Sequence, residues 1–187
     1  MVNKIVKYAE QNSQFSRFEL AKLKYMLEMI FLNVGELLLL FGIFTFLGKM
    51  TEFFVAAAVL LSVRSFAGGF HLAKFRYCVI LSVAIFWAII MILPAIDITQ
   101  GLMEALLLIS ILINLLLAPV SKRNYAQLPK NRLIFKCIST VILLIYAFFI
   151  LRYRDSPYAV ISTWTIFFQS FQLIVGRGLI LYEKNAS

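Results

Sequence analysis

Apolar residues fall along this chain in long blocks separated by short polar stretches. Blocks at residues 29–47, 77–96, 102–119, 134–151 and 158–181 each reach the roughly 18 positions that carry a helix across a hydrocarbon core about 30 Å thick. A sixth block, 53–67, has 15 residues, and a straight helix of that length rises only about 22 Å. It either crosses by thinning the bilayer locally or turns back as a re-entrant element buried in protein. The first 27 residues follow a different pattern, with Val2, Ile5, Val6, Ala9, Phe15 and Phe18 spaced helically between lysines. That spacing predicts an amphipathic helix lying on the membrane surface; a flexible tail is the alternative, because Gln11 to Gln14 interrupts it. The pattern as a whole predicts an all-α polytopic integral membrane protein. About six transmembrane or re-entrant helices form a single membrane-embedded core over 28–187, preceded by the interfacial helix of 1–27.

Composition agrees, since 62% hydrophobic and 14% charged residues are foreign to an ordinary soluble domain. The net charge of +9 would suggest nucleic acid if it lay on one soluble face. Here the charges sit between apolar blocks, where lysine and arginine mark cytoplasmic loops, and no nucleic-acid partner is expected. With the N-terminus inside and six spans, fifteen of the 18 cations fall on the inner side; only Lys49, Arg152 and Arg154 fall outside. Both termini are therefore expected in the cytoplasm. The opening 27 residues are too polar for a signal-peptide core, so no cleavable signal is expected.

Polar residues within or beside the blocks are the candidates for chemistry. Glu36 lies inside the first block, where an ionisable group is either a functional site or a structural contact between helices; Glu28 lies at the block's edge. The stretch SKRNYAQLPKNR after Pro119 carries Lys122, Arg123, Lys130 and Arg132. It is either a topology determinant or an electropositive collar for an acidic partner or anionic lipid headgroups. Gln169 and Gln172 in the last block fit interhelical hydrogen bonding better than ligand binding.

Elimination narrows the reaction classes. One histidine and two separated cysteines cannot supply a structural zinc site, and neither a phosphate-cradling loop nor a serine-hydrolase elbow is present. No metal or organic cofactor is implied. What remains is a thiol and an imidazole in AGGFHLAKFRYC, which holds His71 and Cys78. A thiol becomes a useful nucleophile when a base or a positive field raises its thiolate fraction. Arg64, Lys74 and Arg76 supply such a field, whereas Cys137 has no base near it in sequence. In the cytoplasmic topology both thiols face a reducing compartment and no disulfide is expected. On one continuous helix, residues seven apart are about 10.5 Å apart along the axis, and attack needs about 3 Å. The pair Gly68–Gly69 offers a break that lets His71 fold back toward Cys78, and its N–H groups offer donors for an oxyanion. From the residues alone, a catalytic pair and a pair of helix-boundary residues both stand.

The stretch RSFAGGFHLAKFRYC resembles the R-x-x-x-G-G-x-H motif, followed seven positions later by Cys, of the accessory gene regulator B (AgrB) family of membrane peptidases. LKYMLEMIFLNVGELLLL is similar to that family's first-span region with its glutamate, and LLAPVSKRNYAQLPKNR to its A-P motif and basic loop. The resemblance implies a cysteine endopeptidase of a Gram-positive cell membrane. Such a protein removes the C-terminal part of a small AgrD-like quorum-sensing precursor and closes the remainder into a thiolactone or lactone. By position it implies Cys78 as nucleophile and His71 as base, with Arg64, Gly69 and Glu28 associated with activity. It also implies a precursor with an amphipathic N-terminus and an acidic C-terminus, and a homodimer in contact with membrane lipid. The family's basic loop is a tighter lysine cluster than the spread of Lys122, Arg123, Lys130 and Arg132 in this chain. The competing reading is a non-catalytic peptide exporter or carrier whose charges only set topology.

Overall fold

The computed structural model describes residues 17–69, 75–96, 98–120 and 129–186, apart from some side chains near the ends of these segments. The described residues form six α-helices and no strand: α1 Arg17–Phe46, α2 Met50–Ala67, α3 Phe75–Trp87, α4 Gln100–Leu117, α5 Pro129–Arg152 and α6 Pro157–Ala186. The protein is an all-α polytopic membrane protein. Five segments, Met50–Ala67, Tyr77–Ala95, Gln100–Leu117, Arg132–Arg152 and Pro157–Tyr182, are long and apolar enough to cross a bilayer, and Asn33–Phe46 is a shorter apolar helix.

The chain divides into two compact units, Met1–Gly48 and Lys49–Ser187. In the first, α1 is one uninterrupted helix of 30 residues. Residues 17–27, expected as the end of a separate interfacial helix, thus continue straight into the first apolar block; residues 1–16 lie outside the described residues. Gly48, at φ +67°, ends the turn after α1.

The second unit holds the other five helices. α2 begins three residues before the apolar block does. Lys49 and Glu52 pair at 2.8 Å across its first turn, and an acidic residue there complements the helix dipole. The 18-residue helix then rises about 27 Å, so the block that looked short has the length of a full span. After α3 the helix loosens through a π turn, Ala88–Ile92, and tightens into a 3-10 turn, Leu93–Ala95. Pro94 explains this, since proline lacks an N–H and its ring clashes with the carbonyl four residues earlier. Thr99 caps α4 by accepting the Leu102 N–H. Ser156 precedes α6 and accepts the Tyr158 N–H on its hydroxyl, with Pro157 at the first helical position, where its missing N–H costs nothing.

α6 is the central helix, with 61% of its apolar window buried against a third or less of every other span. α2, α4 and α5 pack on it, and α5 packs also on α2 and on α4, around Val63, Leu107, Leu143, Ala147, Ile166 and Leu173. The perimeter is apolar too: Leu108, Leu116, Leu133 and Phe148 are 60–76% exposed, the inside-out pattern that lipid as solvent permits. Polar side chains are instead turned inward. Asn114 Nδ2 donates to Ser139 Oγ at 3.0 Å and Thr140 Oγ1 at 3.1 Å, and Thr163 and Thr165 donate to carbonyls of their own helix. The Asn114 bonds, which join α4 to α5, are of the kind that hold membrane helices together where no hydrophobic effect drives association.

Candidate active site

The site is built at the end of α2. The Gly68 N–H donates to Arg64 O at 2.9 Å and closes the helix. Gly68 itself sits at φ +80°, ψ −156°, a region that essentially only glycine occupies. This conformation lays the chain against Val120, which follows the cis Ala118–Pro119 peptide and pairs with Gly68 in a single parallel bridge. The Val120 N–H donates to Ala67 O at 2.9 Å, and the Gly69 N–H donates to Val120 O at 3.2 Å. A Cβ on Gly68 would stand 2.1 Å from Val120 O, whereas one on Gly69 would meet nothing closer than Arg64 Nε at 3.5 Å.

α6 completes the junction. Gln169 Nε2 donates to Gly68 O at 2.8 Å, and Arg64 Nη1 donates to Gln172 Oε1 at 3.2 Å. Both glutamines are buried, and both make the interhelical bonds their sequence context suggested. The guanidinium of Arg64 is thereby held against the bundle, where it remains half-buried. Gln169→Leu removes the donor to Gly68 O while deleting an oxygen, Oε1, that has no partner among the described residues. The net loss is expected to be about 1 kcal/mol, read as a fall of roughly 2–4 °C in the unfolding midpoint of detergent-purified protein.

α3, described from Phe75, carries Cys78, which is half-buried. α2 stops at the glycine pair, and Gly68 and Gly69 both lie outside a helix. His71 and Lys74 lie outside the described residues. Neither cysteine is in a disulfide, and Cys137 is exposed on α5. Among the described residues, no group of three or more His, Cys, Asp or Glu is placed to hold a metal.

The family model for accessory gene regulator B matches residues 1–173. The chain belongs to the AgrB family. A putative AgrB-like protein from Clostridium beijerinckii is 25% identical over 185 residues, covering 95% of this chain and 89% of that protein. No solved structure matches. Membership links the chain to the accessory gene regulator system of quorum sensing.

Of the residues that the AgrB resemblance and the chain's chemistry singled out, the structure gathers Arg64, Gly68 and Gly69 at one junction. Glu36 is half-buried on α1, in the first unit, and Arg132 is exposed near the start of α5. Glu28 and Lys130 lie on α1 and α5, but their side chains are outside the described residues, as are Lys122 and Arg123 altogether. One expected use of the glycine pair is already taken. Both N–H groups, considered as oxyanion donors, are engaged by Arg64 O and Val120 O, which leaves neither for an oxyanion. Val120 was not singled out as a partner of the glycines; its only signal was its place directly after the A-P motif.

Proposed function

We propose that this chain is a membrane cysteine endopeptidase and peptide cyclase that matures a short AgrD-like precursor for quorum sensing. Cys78 is the nucleophile and His71 its base. The observation that carries this reading is the match of the AgrB family model over residues 1–173, a range that takes in both His71 and Cys78. The end of α2 at Gly68 supports it, because α2 does not run on into the stretch that holds His71 and Cys78; a continuous helix through both would hold them about 10.5 Å apart along its axis.

In this mechanism His71 takes the Cys78 proton as Sγ attacks the scissile carbonyl, then gives it to the departing amine. The precursor's C-terminal part leaves, and an acyl-thioester on Cys78 remains. A thiol or hydroxyl within the bound N-terminal part attacks that thioester, closing a thiolactone or lactone and returning the thiolate. Ring closure competes with hydrolysis, so a water-poor site at the bilayer edge favours it. The site and both termini face the cytoplasm of a Gram-positive cell, following the lysine and arginine bias. There Arg64, Lys122, Arg123, Lys130 and Arg132 attract an acidic precursor tail. Glu28, by its family position, and Glu36, as an ionisable group within the first apolar block, are candidate supporting residues, and the protein works as a homodimer.

Mass spectrometry of the lipid-reconstituted protein, quenched in acid during turnover of a synthetic precursor, tests this directly. The peptide containing Cys78 should gain the mass of the precursor's N-terminal part less water, and hydroxylamine should release it. Processing with no adduct at Cys78, and unchanged turnover in Cys78→Ala, would show that the thiol is not the nucleophile.

A further inference from the structure

The end of the second unit opposite the Gly68 junction carries a separate feature. Where α2 begins, α5 ends and α6 begins, an open groove of about 360 Å³ runs between the three helices. Its walls include Val55 and Ala58 of α2, Phe149, Ile150 and Tyr153 of α5, and Ala159 of α6. The rim is stiffened: Phe149 and Tyr153 stack at 6.5 Å with planes 7° apart, and Tyr146, which also lines the groove, shares a 3.0 Å hydrogen bond with Ser62.

Charge at this end is uneven. Lys49 pairs with Glu52, and Arg154 lies 3.9 Å from Asp155 and donates to Gln100. Arg152 makes no ion pair among the described residues; its guanidinium lies over the Tyr153 ring, 5.6 Å from the centroid, at the groove's rim. The N-terminus of α6, capped by Ser156, adds its positive dipole end on the same side. Tyr153, Tyr158 and Arg152 form the aromatic and basic border expected where a span meets headgroups.

We propose that this groove is a binding site for one anionic phospholipid, with an acyl chain between α2, α5 and α6 and the headgroup phosphate at Arg152. An acyl chain suits an apolar slot open to the bilayer. Arg152, which has no ion pair among the described residues, and the helix N-terminus select a negative headgroup, by about fivefold per cation near the surface.

Native mass spectrometry of the full-length protein in detergent, titrated with phosphatidylglycerol or with phosphatidylcholine of the same chains, tests the assignment. One phosphatidylglycerol per chain should survive activation, at several-fold higher occupancy than phosphatidylcholine, and inorganic phosphate should not displace it. Arg152→Gln should lower that preference about fivefold without changing phosphatidylcholine binding. Ala58→Phe, at an exposed position on the groove wall, should remove the retained adduct of either lipid; Val55→Trp should do the same and serves where the first variant unfolds. Equal retention of the two lipids, an adduct indifferent to both groove-filling variants, displacement by phosphate alone, or a dimer that forms in place of the adduct and is lost in Ala58→Phe would each overturn the proposal.

Discussion

Gly68→Ala is expected to prevent stable folding, whereas Gly69→Ala, one residue on, is expected to fold. The two glycines look equivalent in sequence, but their surroundings differ. Gly68 combines a conformation that costs other residues on the order of 1–3 kcal/mol with a Cβ position 2.1 Å from the Val120 carbonyl oxygen, so backbone must move. Movement there breaks the Val120–Ala67, Gly69–Val120 and Gln169–Gly68 hydrogen bonds together, each worth about 1 kcal/mol. A total near 4–5 kcal/mol is a large part of what holds a domain of this size. At Gly69 the nearest atoms, Arg64 Nε at 3.5 Å and Gln172 Oε1 at 3.7 Å, are in ordinary contact with an added methyl, and φ is unremarkable. Size-exclusion profiles and unfolding midpoints of the two variants in detergent separate the cases. A Gly68→Ala protein with wild-type yield and midpoint would refute the bridge to Val120.

Much of this architecture was legible in the sequence, because the bilayer sets helix length and each apolar block reports it directly. Five described spans lie within a few residues of their blocks. The departures have local causes. α2 looked short because Lys49 and Glu52 interrupt apolarity without interrupting the helix: they pair with each other across its first turn. Residues 17–27 looked separate because polar residues mark a change of solvent, which helix hydrogen bonding does not register. At the candidate site, the glycine pair announced a break and the two glutamines announced interhelical bonds. That they meet each other, and meet Val120 from 52 positions away along the chain, is a long-range pairing that composition and periodicity do not encode. Nor could sequence tell that the glycine N–H groups would be consumed by that pairing.

The largest effect on activity is expected at Cys78. Cys78→Ala should reduce precursor cleavage by at least about 10³-fold, and His71→Ala by a comparable factor. The double variant should be little worse than either, because residues that act as a unit are not additive. Cys137→Ala, at an exposed position on α5, should leave cleavage within about twofold, the range of a surface substitution. The pH dependence distinguishes a base from a structural histidine. Without His71 the Cys78 proton must be lost to solvent rather than to a base, and rising pH favours that loss. Residual cleavage by His71→Ala should therefore climb from pH 6.5 to 9 by up to tenfold per unit, while Cys78→Ala stays flat. Cys78→Ser should cleave poorly throughout, since a hydroxyl stays protonated across this range. A His71→Ala variant that cleaves at the wild-type rate with the wild-type pH profile would remove His71 from the role of base, and wild-type turnover by Cys78→Ala would remove the thiol chemistry altogether.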